Sequence, residues 1–144
     1  MPYIKIWIHL IFSTKNGDKL ISKQLKPQLL KHIKENSIKK NMYIDFMNCV
    51  SDHIHLLISL NSEQTISKVT RLIKGQSSHW INNYNLIPNK FEWQDEYIAV
   101  SICHSQVNMV RDYIKNQEEH HRKKTFQEEY DEFIKKYGFE IIGK

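Results

Sequence analysis

Cysteine is scarce in this chain. Cys49 and Cys103 are the only two, too few for a disulfide framework or a four-thiolate zinc site. One bridge stays open, although nothing in the spacing favours it. The spacing of Cys49, His53 and His55 matches no common structural zinc pattern. Long apolar runs are missing as well: no stretch approaches the roughly 18 residues that suggest a membrane span. The N-terminus shows no basic leader followed by an apolar run and a small-residue cleavage site. Repeats, low-complexity segments and interdomain linkers are also lacking. We therefore expect a reduced, cytoplasmic protein without membrane association, folded as a single domain over residues 1–144.

What is present argues for a packed core. Hydrophobic residues make up 40% and aromatics 11%, a globular rather than a disordered composition. Lys plus Arg is 21 against 16 for Asp plus Glu, a formal charge of +5. This moderate excess favours a polyanionic partner such as nucleic acid without requiring one.

The chain is organised around Ser51-Asp52-His53-Ile54-His55-Leu56-Leu57-Ile58-Ser59-Leu60. From His53 onward it reads as a strand. Ile54, Leu56, Ile58 and Leu60 take one face, and His53, His55, Leu57 and Ser59 the other. The aliphatic face belongs to a core. The two imidazoles then stand side by side, close enough to share one metal ion, and neutral imidazole is the commonest protein metal ligand. Taken alone, a His-x-His pair more often means two unrelated histidines on a half-exposed strand.

The rest of the chain frames this strand. Tyr3 to Phe12 alternates strictly, with Trp7, His9 and Ile11 opposite Ile8, Leu10 and Phe12, and predicts a central strand. Asn16-Gly17-Asp18 signals a turn. Ser22 to about Lys40 predicts a helix whose regular part starts near Pro27. Met42 to Val50 predicts a strand that forms a hairpin with the histidine strand. Asn61 and Ser62 are candidate caps for a helix running to about Asn83. Tyr97 to Cys103 predicts a fourth strand. Ser105 is a candidate cap for a helix from about Gln106 to His121. Thr125 is a candidate cap for a last helix through Tyr137, which Gly138 would end. Tyr3 and Tyr43 are expected to pack in strands.

This order fits an α+β fold: a ferredoxin-like, RRM-like βαββαβ antiparallel sheet with additional C-terminal helices. The first two helices would cover one sheet face. The histidines, Trp7 and His9 would lie on the other, under the third helix of the same chain or of a partner. Tyr113 and Gln117 are four apart and so share one edge of that helix.

Several segments together are similar to a known family. They are Asp52-His53-Ile54-His55-Leu56, Lys74-Gly75-Gln76-Ser77-Ser78, Trp93-Gln94 and Tyr113-Ile114-Lys115-Asn116-Gln117-Glu118-Glu119-His120-His121-Arg122. The chain resembles the single-tyrosine HUH transposases of the IS-two-hundred-like group, which move insertion sequences as single-stranded DNA. The resemblance runs from His9-Leu10-Ile11-Phe12 to Tyr130. It departs at Ser51, where many relatives have proline, and at the Asn16-Gly17-Asp18 turn, which lacks a common basic residue.

The resemblance implies roles. His53, His55 and Gln117 would bind a divalent metal, Mg²⁺ or Mn²⁺, and Tyr113 would be the nucleophile. The product would be a 5′-phosphotyrosine and a free 3′-hydroxyl. The partners would be single-stranded DNA with hairpin ends and a second copy of the chain, in a homodimer whose active sites are shared. Lys68, Arg71, Lys74, Arg122, Lys123 and Lys124 are candidates for phosphate contacts. Two other readings compete. One is a non-catalytic nucleic-acid-binding module that uses Trp7 and the basic residues. The other is a metal-dependent nuclease with activated water as nucleophile.

Overall fold

A computed structural model of the chain describes residues 2–137. Strands β1 (Ile6–Ser13), β2 (Tyr43–Cys49), β3 (His53–Leu60) and β4 (Ile98–Ile102) form one antiparallel sheet in the order β2-β3-β1-β4. Helix α1 (Leu25–Lys39) joins β1 to β2, and α2 (Ile66–Asn83) joins β3 to β4. This is the expected βαββαβ order. Three helices follow: α3 (Val107–Lys115), α4 (Gln117–Lys123) and α5 (Phe126–Tyr137).

Side-chain alternation decides what each face does. Leu10 and Phe12 of β1 and Ile54, Leu56 and Ile58 of β3 point to one side, where Leu25, Leu29 and Ile33 of α1 and Val69, Ile73 and Ile81 of α2 cover them. Burial of each such aliphatic side chain stabilises the fold by about 1.5–3 kcal/mol. On the opposite face, Trp7 and Leu57 pack under Val107 and Ile114 of α3. Ile11, Ile98 and Val100 pack under Phe126, Tyr130 and Phe133 of α5. Along β1 the order is Trp7, His9, Ile11, so the histidines lie between two apolar patches. The third helix covers this face from the same chain.

Several local expectations are corrected. The first strand begins at Ile6, where pairing to Leu60 begins, and Tyr3 is fully exposed. Tyr43 is on a strand but more than half exposed, because it lies on the edge strand β2. Asn61 accepts from the amide of Glu63 at 2.9 Å, which occupies it in the preceding turn, and Thr65 caps α2 by accepting from Lys68. Ser105 caps nothing: α3 grows out of a 3-10 turn at His104–Gln106, and the Ser105 hydroxyl meets Cys103 Sγ at 3.3 Å.

The predicted helix from Gln106 to His121 is broken at Asn116. Asn48 of β2 donates to the carbonyls of Ile114 at 3.0 Å and Lys115 at 3.2 Å, which gives the last turn of α3 external partners. Thr125 caps α5 as expected, in a reciprocal pair with Glu128. Gly138 lies outside the described residues. Cys49 is buried and Cys103 exposed, and both are free. Among the described residues, no helix is long and apolar enough to cross a membrane.

Candidate active site

β3 presents His53 and His55 on one face, both fully buried. Each imidazole has its Nδ1 engaged from behind. Nδ1 of His53 bonds Oδ1 of Asp52 at 2.7 Å, and Nδ1 of His55 meets Nε2 of His9 at 2.9 Å. His9 reaches it diagonally from β1, two positions along from the residue paired with His55. The Nε2 atoms are left facing inward. Nε2 of His55 is buried and makes no hydrogen bond. A ring nitrogen fixed on one side and orphaned on the other is the arrangement of metal-ligating histidines. The residues present therefore fit a divalent ion.

The C-terminal helices bring the other groups. Tyr113, on the last turn of α3, has its ring centroid 5.7 Å from that of His55 and 6.0 Å from that of His9. Gln117, fully buried at the start of α4, places Oε1 3.3 Å from Nε2 of His53. Its Nε2 bonds the carbonyl of Tyr113 at 3.3 Å, so the two residues stay coupled across the break.

α5 adds a group that the sequence reading missed. The carboxylate of Glu129 lies 3.4 Å from Nε2 of His53 and 3.2 Å from Nε2 of His55, and it accepts a short hydrogen bond from the Tyr113 hydroxyl. His53, His55 and Glu129 bring three possible ligand atoms within 4.8 Å of one another, all from buried residues. Asp52, His53 and His121 form a second such group. A signal for Glu129 was present. Phe126, Glu129, Tyr130 and Phe133 recur at helical spacing, so the carboxylate sits inside an apolar stripe.

Electrostatics follow from burial and these contacts. Burial opposes charge on His53, but the Asp52 and Glu129 carboxylates outweigh it and hold its pKa at about 9. Burial pushes His55 down to about 4, against the attraction of Glu129. His9 falls to about 3, through burial and then the neighbouring His55. Burial opposes ionisation of Glu129, yet the close approach of His53, His55 and the Tyr113 hydroxyl drives its pKa far below the ordinary range. Tyr113 is pushed well above the ordinary phenol range, first by burial and then by Glu129.

The candidate phosphate contacts fall into two groups. Lys68 and Arg71 are exposed on α2. Lys74, on the same helix, is already committed: its ammonium donates to the carbonyls of Gln94, Asp95 and Glu96 at 2.6–3.2 Å. Trp93 Nε1 donates to Ser77 Oγ at 2.9 Å in the same region. The Lys74-to-Ser78 and Trp93-Gln94 segments therefore clamp each other. A cleft of about 640 Å³ runs beside them, lined by Arg71, Lys74, Lys90 and Asn16. It shares Asn16, Gln94 and Tyr97 with a cavity of about 600 Å³ that reaches Asp52. Arg122 and Lys123 end α4 and Lys124 follows it; Arg122 and Lys123 pair with Glu119, and Lys124 with Glu132. Trp7 is only 6% exposed and donates to Nδ1 of His104, so it is not available as a stacking platform.

Fold and site together define a class: a ferredoxin-like protein whose sheet carries a buried histidine pair beside a tyrosine. The chain belongs to the family described as Transposase IS200 like, whose profile matches residues 3–117. It is a transposase. Two solved structures have the same fold. One is a candidate transposase from Deinococcus radiodurans R1, 18% identical with a TM-score of 0.65, the match covering 81% of this chain and 93% of that one. The other is a REP-associated tyrosine transposase bound to a REP hairpin, 20% identical with a TM-score of 0.61, the match covering 84% of this chain and 72% of that one. No curated protein matches the chain.

Proposed function

We propose that this transposase cuts and rejoins single-stranded DNA through a 5′-phosphotyrosine at Tyr113, with His53, His55 and Gln117 holding Mg²⁺ or Mn²⁺. The observation that carries the reading is the meeting of Tyr113 with both imidazoles in one buried cluster, linked by Glu129.

The reaction is an in-line exchange. The Tyr113 oxygen bonds to phosphorus, the bond to the 3′ oxygen breaks, the phenol gives up one proton and the 3′ oxygen gains one. The ester bond is conserved in the adduct, so a 3′-hydroxyl can reverse the step without ATP. A divalent ion bound by these residues would offset charge on the phosphoryl oxygens and favour the phenolate. Asp52 and His9 fix the two imidazole planes from behind. Gln117 ties the backbone of Tyr113 to His53.

The reading extends to partners. The hairpin bound by the REP-associated relative supports hairpin ends as the recognised DNA. Lys68, Arg71, Arg122, Lys123 and Lys124 supply phosphate contacts. Lys74 would act there only after releasing the 94–96 loop. Two DNA ends must be held together for strand transfer, and each chain offers one Tyr113, so the working unit is a homodimer with shared sites. Burial of Trp7 weighs against the non-catalytic binding module.

One assay tests the chemistry. Labelled single-stranded DNA carrying a hairpin is mixed with the protein and Mg²⁺ or Mn²⁺ and resolved on a denaturing gel. A covalent protein–DNA band is expected. Cleavage without that band would replace this reading with a water-using nuclease, and binding alone with a non-catalytic module.

A further inference from the structure

We propose that Glu129, delivered by α5 of the same chain, is itself a ligand of the divalent ion, completing a two-histidine, one-carboxylate set in which Gln117 has the weaker role. The inference rests on the metal-dependent reading above and goes beyond the ligand set given there.

The first support is what surrounds the carboxylate. Glu129 is 5% exposed and stands in the apolar stripe of α5 between Phe126 and Phe133. A buried carboxylate is costly unless paired. No lysine or arginine is paired with it among the described residues. Its neighbours are His53, His55 and Tyr113. Of these, His55 is fully buried and leaves its Nε2 without a hydrogen bond. A dication satisfies the carboxylate and both imidazole lone pairs at once.

The second support is chemical. Mg²⁺ and Mn²⁺ are hard ions that prefer charged oxygen. Gln117 offers a neutral amide oxygen 3.3 Å from one imidazole only, whereas Glu129 places one oxygen near each imidazole. Glu129 also accepts from the Tyr113 hydroxyl, so the same group would set the distance between nucleophile and ion.

The third is the local fold. Thr125 and Glu128 cap α5 reciprocally, which fixes the helix start and turns the next residue inward. The cluster is covered without being sealed. A cavity lined by Asp52, Thr125 and Phe126 flanks α5 on one side, and one lined by His9, Tyr113 and Phe133 on the other.

The test is Mn²⁺ binding to the full chain, followed by calorimetry and by the electron paramagnetic resonance of free Mn²⁺. Variants are Glu129→Gln, Glu129→Asp, Gln117→Ala and His53→Ala. Glu129→Gln is expected to weaken Mn²⁺ at least tenfold, Glu129→Asp and Gln117→Ala less, and His53→Ala to remove binding. Wild-type affinity in Glu129→Gln with none in His53→Ala would overturn the Glu129 assignment and leave the histidine site standing. Wild-type affinity in His53→Ala would overturn both. Melting each variant in EDTA and then in Mn²⁺ separates lost folding from lost binding. If Glu129→Gln does not fold, Glu129→Asp decides: unchanged Mn²⁺ affinity and resonance would overturn the proposal.

Discussion

Nε2 of His9 lies 2.9 Å from Nδ1 of His55, and both rings are buried. If Nε2 of His55 is to give its lone pair to an ion, the His55 proton must sit on Nδ1. His9 must then accept it through Nε2. His9 therefore selects the tautomer and the ring plane of His55. Outer partners of this kind typically affect affinity or activity by about 10–100-fold. His9→Ala should lower the cleavage rate by that order while the far-ultraviolet circular dichroism stays unchanged, and His9→Asn should recover part of it. A wild-type rate in His9→Ala would reduce His9 to a core residue.

The two histidines proposed as ligands should behave differently. His53→Ala or His55→Ala should abolish cleavage yet leave much of the hairpin binding, because the exposed cations lie on α2 and α4. Gel shifts and cleavage on one labelled hairpin measure both. Full cleavage by either variant with Mg²⁺ as the sole metal would remove these residues from the site.

Tyr113→Phe deletes one oxygen and keeps the ring contacts with His9 and His55. The covalent adduct should vanish while metal and DNA still bind. The variant also removes the hydrogen bond to Glu129, so its stability in EDTA should change by a few kcal/mol at most. Adduct that persists and maps to Tyr130 by peptide mass would show that the wrong tyrosine was chosen.

How much of this was legible in the sequence depends on the length scale of each signal. Period-two alternation over β1 and β3 placed His9, His53 and His55 on one face and the aliphatic residues on the other, and the register bears this out. The break at Asn116 was not legible, because the group that meets the last α3 carbonyls, Asn48, comes from a distant strand. The true cap of α2 was missed because Asn61 and Thr65 are chemically similar, and only the turn geometry assigns one to each end. Glu129 was overlooked since a carboxylate within a short helix is ordinarily solvent-facing. Its meaning emerges only once α5 is folded over the histidines. Lys74 read as a free cation because its carbonyl partners are 20 residues or more away.

The buried cluster also sets a pH profile for the metal-free chain. His53 has its pKa raised to about 9, so its contribution is fully present below its unfolded value near 6.5 and is lost as pH rises through about 9. His55 and His9 are lowered to about 4 and 3, so their contribution is present above about 6.5 and lost as pH falls toward those values. In EDTA, stability should therefore peak near neutrality and decline on both sides. Thermal melts between pH 5 and 9.5 check this. Asp52→Asn should flatten the alkaline limb while sparing the acid one. A profile in which stability keeps rising from pH 7 to 9 would contradict the assigned state of His53.

Assembly is the remaining question, and the single chain makes it sharper. Within one chain α3 is anchored to the sheet. Arg111 pairs with both oxygens of Asp45 at 2.6 Å, and Val107 and Ile114 pack on Trp7 and Leu57. Tyr113 consequently stands beside the histidines of its own chain. The proposed strand transfer nevertheless requires two tyrosine-linked ends in one complex, and a two-fold dimer is the simplest closed assembly. Sharing of sites would then mean exchange of the segment after β4 between twins, at the cost of releasing and remaking these α3 contacts. Complementation measures it. Chains carrying His53→Ala and His55→Ala are co-expressed with chains carrying Tyr113→Phe. A shared site predicts that mixed dimers regain adduct formation, with the DNA linked only to the chain that retains Tyr113. Breaking the Arg111–Asp45 pair with Arg111→Ala should make that recovery faster, since the anchor opposes exchange. Sites confined to single chains would give no adduct in any mixture, and a monomer at micromolar concentration would remove the two-chain proposal altogether.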